Sequence, residues 1–324
     1  MNKSRESYID VVRGLAIILV VLGHLGMPIT INSFIYGFHM PLFFLLSGYL
    51  YTASKWTATP FFQFIRLKAR AYLLPYALLG FINLVTNFFI EYMQLSSADL
   101  FVSTKSHLSW LILSNDVYGS APNCEALWFL PCFFFASLGF YIIEKQNAFK
   151  RSVLFILLCT LQVFFIWGKF QLPWHLNILP ICIIFMSIGQ LFKVKNLLEL
   201  PSYTFGIAVI LGISGISLNH VDFDLNHMSF GNIPLALCGS IGMGYAILYA
   251  CHRWFSKNRL LELYGRNTLL IMGLHMLLSS LVLLVLNRIP PFVSYGYHWW
   301  FNAILVLLLL IPLCLCRKQL RKPK

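Results

Sequence analysis

The sequence predicts an all-α integral membrane protein: a single bundle of about ten transmembrane helices with both termini cytoplasmic. Three observations carry this. Of 324 residues, 59% are hydrophobic and 11% charged, against about 25% charged in soluble domains, and the mean hydropathy is +0.75. Long apolar runs recur from end to end, as spans of about 20 residues require. The net charge of +13 also sorts by topology. With an even number of spans and both ends inside, 20 of the 24 Lys and Arg fall on inner segments, while Lys105, Lys169 and Arg288 fall outside and Arg13 lies within the first span. That asymmetry is the positive-inside pattern. It accounts for the basic excess without a nucleic-acid partner and places both ends on the cytoplasmic side; the chain is expected in a cytoplasmic (inner) membrane.

The spans are expected at 8–26, 33–52, 70–90, 127–143, 152–168, 174–192, 203–218, 232–251, 266–287 and 298–316. The first apolar run has no small-residue cleavage site behind it and leads directly into the second, so it reads as a span rather than a cleaved leader. Ser47 and Gly48 in the second span allow close helix approach, and Pro41 can kink it and free a carbonyl. An inner loop at 53–69 is rich in aromatic and basic residues. The outer loop 91–126 contains SADLFVSTKSHLSWLILS, where Ser96 or Ser97 can cap a short helix with an apolar face. That helix is too polar to span and is expected to lie at the outer interface. A second outer loop, 219–231, carries His220, Asp222, Asp224 and His227. The other connections are short, so one domain over 1–324 is expected, with no appended soluble domain. Of the eight cysteines, Cys124 alone falls in an outer loop, and the rest read as small apolar residues.

Arg13 and His24 stand eleven residues apart in YIDVVRGLAIILVVLGHL. On a helix that is roughly 16 Å of rise and close to three turns, so both share one face. Titratable groups are expensive in a bilayer and usually functional there. A neutral imidazole can take a proton from a hydroxyl, whereas the plainer reading of His24 is a buried histidine bonded to a backbone carbonyl. Arg13 offers a rigid fork suited to phosphate, but could also snorkel to the headgroups or pair with Asp10. Arg66, Lys68 and Arg70 on the same cytoplasmic side could complete a phosphate site or serve as topological anchors. His39 is expected at a depth similar to His24, as a substrate-positioning or structural group. Glu125 could orient His24 or sense an acceptor hydroxyl, or simply be solvated. Trp128 could stack on a sugar or join the interfacial aromatic belt. His275, in the ninth span, is a further polar candidate near the bundle centre. The chain has no G-x-S-x-G, P-loop, H-E-x-x-H or paired C-x-x-C motif, so hydrolase, ATP-driven and metal chemistry lack support.

These residues resemble a known family. RGLAIILVVLGH, FHMPLFFLLSGYLY at 38–51, RLKARAYLLPY at 66–76, LWFLPCFFF at 127–135 and GRNTLLIMGLH at 265–275 together look like the membrane-bound type 3 acyltransferases, with the fucose 4-O-acetylase-like proteins as the nearest branch. The resemblance covers essentially the whole chain. It implies transfer of an acyl group, usually acetyl from acetyl-CoA, from the cytoplasm to a hydroxyl of a cell-surface or lipid-linked carbohydrate. It carries the family's motif histidine onto His24, the motif basic residue onto Arg13, and the basic pair before the third span onto Arg66 and Arg70. Carbohydrate acceptor, membrane lipid and polysaccharide-assembly proteins are the partners it implies, with acetyl-CoA as co-substrate and no metal. A transporter or flippase of an amphipathic glycan or lipid is the alternative, since intramembrane polar groups are equally expected there. Against it, the sequence shows no repeated half.

Overall fold

The computed structural model describes residues 7–219, 221, 223–289 and 298–320; His220 and Asp222 of the second outer loop lie outside these described residues. The helices are α1 Ser7–Gly23, α2 Ile29–Tyr36, α3 His39–Tyr49, α4 Ala53–Thr57, α5 Phe61–Tyr92, α6 Ser97–Leu113, α7 Phe129–Glu144, α8 Ala148–Trp167, α9 Leu179–Val194, α10 Tyr203–Ser217, α11 Ile233–Arg253, α12 Arg259–Arg266, α13 Thr268–Leu286 and α14 Trp299–Leu320. Short 3-10 turns occur at Glu125–Trp128, Pro173–Ile178 and Leu197–Glu199. Among the described residues no strand forms, and the Asp224–Ser229 bridge is isolated. Among the described residues eight stretches are long and apolar enough to cross a membrane. The two remaining expected spans coincide with α1, of 17 residues, and α10, of 15. The protein is an all-α, multi-pass membrane protein.

Three boundaries differ from the sequence expectation, each for a local reason. The first helix stops at Gly23 rather than near residue 26, because Gly26 takes the left-handed φ of +74° and Pro28 follows at the N-cap of α2. His24 therefore stands just past the helix end, in a turn closed from its own N–H to the Val21 carbonyl at 3.2 Å. The second span breaks at Gly37–Phe38 into α2 and α3. Pro41 lacks an N–H, so the Gly37 carbonyl loses its helical donor. The Ser240 hydroxyl donates to it at 2.6 Å instead, so the carbonyl freed by Pro41 is already taken. The third span, α5, starts at Phe61 rather than residue 70, because no breaker interrupts FFQFIRLKARAYLL after Pro60. The basic run thus lies within a helix rather than a loop. Ser96 caps α6 as expected, accepting from the Asp99 N–H.

The chain divides into two compact units. The first comprises residues 1–43, 198–223 and 230–324; the second comprises 44–197 and 224–229. In the first, α1 packs on α2, α11, α12, α13 and α14, and α10 packs on α11. Gly14 lies against the Leu261 backbone and Gly265 against that of Asp10, so a side chain at either would overlap α12 or α1. In the second, α7 packs on α5, α8 and α9. The Phe44 ring lies 5.2 Å from both Phe129 and Phe133. Gly48 meets the Met186 carbonyl and Gly189 meets the Leu45 carbonyl, which gives the close approach expected from Ser47–Gly48.

Candidate active site

The first unit gathers three of the sequence-predicted histidines. The His24 ring lies 5.4 Å from that of His275 and 6.3 Å from Tyr36, and Tyr36 lies 4.8 Å from His39. His39 and His275 are both buried. Each places Nδ1 2.9 Å from a carbonyl oxygen one turn earlier, Ile35 and Ile271 respectively. A carbonyl only accepts, so Nδ1 carries a proton in both rings, and in the neutral form of each Nε2 holds the lone pair. His24 is half-buried. The site thus contains imidazoles and a phenol, groups able to take up and pass on a proton.

At the other end of α1, Arg13 lies 3.6 Å from the fully buried Asp10, which also holds Arg266 at 3.0 Å. Arg266 reaches Glu262 at 2.8 Å, and Glu262 accepts from Ser7 at the same distance. Asp10 is therefore Arg13's ion-pair partner, shared with a second arginine. The two glycine contacts between α1 and α12 bring these charges together. The Arg13 side chain is one-third exposed.

In the second unit, Arg66 and Arg70 are exposed, one helical turn apart on α5. The Lys68 ammonium instead lies 5.3–5.5 Å from the rings of Trp56, Phe64 and Tyr72. This aromatic cage takes it away from the arginine pair, because residues two apart face different sides of a helix. Glu125 is exposed at the start of its 3-10 turn, within electrostatic range of Asp116 and His227. Trp128 is 5% exposed and lies 4.7 Å from the His175 ring. Its indole is packed inside the protein, rather than presented to a sugar or to the membrane interface, because the turn from Glu125 carries it inward.

The second unit also holds polar groups that motif reading passed over. Asp116 accepts from the Trp110 indole N–H at 2.6 Å and from the Asn226 amide at 3.1 Å. Beside it, His227 and Asp224 pair at 2.7 Å. The Asp224 hydrogen bond raises the His227 pKa. Burial works to raise Asp224, but the bond and charge of His227 hold it below the ordinary carboxylate value. His175 is 1% exposed and, with Trp174, adopts a left-handed backbone at φ 55°. Neither of its ring nitrogens closes a hydrogen bond, although the Ser114 backbone lies near. No spacing rule points to His175, Asp116 or Tyr36. Arg266 was visible in GRNTLL as an inner cation, but not as a partner of Asp10. Cys124 is buried, which pushes its thiol up to about 12 and leaves it a poor nucleophile. Among the described residues no trio of His, Cys, Asp or Glu is placed to hold a metal ion.

A family model described as an acyltransferase domain matches residues 6–317. The chain belongs to the acyltransferase 3 family. No curated protein and no solved structure matches it. The match spans both units of this membrane acyltransferase, from the Arg13–His24 segment to α14.

Proposed function

We propose that this acyltransferase is a membrane O-acetyltransferase of the fucose 4-O-acetylase-like branch. It takes acetyl from cytoplasmic acetyl-CoA and places it on a hydroxyl of a cell-surface or lipid-linked carbohydrate, working in the cytoplasmic membrane with both termini inside. The observation that carries this reading is the position of His24, the residue that matches the family motif, at the end of α1 among His275, Tyr36 and His39.

In this reading His24 is the base. It takes the proton of the acceptor hydroxyl as the oxygen attacks the thioester carbonyl. A C–O bond forms, the C–S bond breaks, and the His24 imidazolium returns the proton to the departing CoA thiolate. The exposed Arg66–Arg70 pair suits bidentate contact with donor phosphates. Arg13, tied to Asp10, keeps a positive charge at the foot of the helix that leads to His24.

The test uses the full chain in lipid nanodiscs with radiolabelled acetyl-CoA and a panel of surface-glycan acceptors, wild type beside His24→Ala. Label should enter a glycan with the wild type only. Movement of an acceptor across the bilayer without labelling would establish the transporter reading in its place.

A further inference from the structure

His275 lies near the middle of α13, fully buried. The hydrogen bond from its Nδ1–H to the Ile271 carbonyl leaves the lone pair on Nε2 when the ring is neutral. That atom is buried and has no hydrogen-bond partner among the described residues. A buried acceptor without a donor is costly, and one that persists calls for a reason. The neighbouring His24 ring stands 5.4 Å away, tilted by 48°. A centroid separation of this size accommodates an N–H···N bond when a nitrogen of each ring faces the other; His275 Nε2 makes no such bond here, so the His24 ring must turn to form it. Tyr36 approaches His24 from α2, and its phenol is not required for this arrangement.

We propose that His275 is a positioning residue for His24: its Nε2 accepts the N–H of His24 and so fixes which His24 nitrogen is free to take the substrate proton. The inference rests on the reading of His24 as base. It gives His275 the part that a carboxylate plays in hydrolase triads, with a neutral partner that adds no charge to the protein interior. When His24 takes up the hydroxyl proton, one imidazolium N–H stays bonded to His275. The other N–H delivers its proton to the CoA thiolate. His275 neither gains nor loses a proton in the cycle.

The experiment is solid-state NMR of the full chain in nanodiscs with 15N-labelled histidine, the His24 signals being assigned by their loss in His24→Ala. Wild-type His24 should show a single tautomer with a hydrogen-bonded N–H. His275→Asn keeps a donor for the Ile271 carbonyl but does not reach His24, and should release His24 into a tautomer mixture. His275→Gln places an amide oxygen near the Nε2 position and should restore one tautomer. With labelled acetyl-CoA, His275→Asn should lower kcat by about 10- to 100-fold while the donor KM stays within about 3-fold. His275→Gln should recover most of the rate. A tautomer mixture in the wild type, or a His24 spectrum unchanged in His275→Asn, overturns the proposal. Absence of any transfer by the wild type overturns the acetyltransferase reading and leaves the spectroscopic result standing.

Discussion

His24→Ala removes the group assigned as base, and positioned bases contribute about 10²- to 10⁴-fold. Transfer from labelled acetyl-CoA should fall by at least the lower figure while the yield of monodisperse protein stays level. Activity within a few-fold of wild type would remove His24 from the chemistry. Arg66→Ala and Arg70→Ala should act differently, raising the donor KM with little change in kcat, because an exposed cation contributes to binding in ground and transition states alike. Lys68→Ala is the contrast. Its ammonium is committed to Trp56, Phe64 and Tyr72, so its loss should reduce thermal stability more than donor affinity. Asp10 is fully buried between two arginines. Asp10→Asn should cost about 1–3 kcal/mol, read as a lower melting temperature in detergent or nanodiscs.

At the scale of the elements, backbone contact carries the arrangement of α1 and α12. Gly14→Val or Gly265→Val would drive a side chain into the facing backbone, and folded protein should be lost. Gly206 has nothing within 4 Å of the place where a Cβ would go, so Gly206→Ala should be tolerated in the same size-exclusion assay. The segment around Asp224 is held by a titrating pair. The His227 pKa is raised, so its contribution is complete below the ordinary value of 6.5 and fades as pH climbs through the raised one. Asp224 is lowered from 3.8, so its contribution is complete above 3.8 and fades as pH falls through the lower value. Amide exchange over 224–229, corrected for intrinsic rate, should be slower near about pH 5.5 than near pH 8.5, and His227→Gln should abolish the difference.

At the scale of the whole molecule, the charge asymmetry predicts which face each loop occupies. Single cysteines introduced at Lys257 and Lys105, in a background where the other cysteines are replaced, should react with an impermeant thiol reagent from opposite sides of the membrane, Lys257 from the cytoplasmic side. Labelling of both from one side would overturn the orientation.

The places of the apolar spans were legible in the sequence, because hydropathy over about 20 residues is a local property that the bilayer reads directly; the break of the second span into α2 and α3 and the short helices α4 and α12 were not. Pro41 and Ser96 were legible for the same reason: each acts on its own stretch of backbone. What required the tertiary structure were pairings between residues far apart in the chain. Asp10 with Arg266, Ser240 with Gly37 and His24 with His275 join segments more than 200 residues apart. The direction of Trp128 depended on a single 3-10 turn. A side chain's partner is set by which helices meet and at what rotation, and those contacts come from packing the whole chain rather than from any window of it.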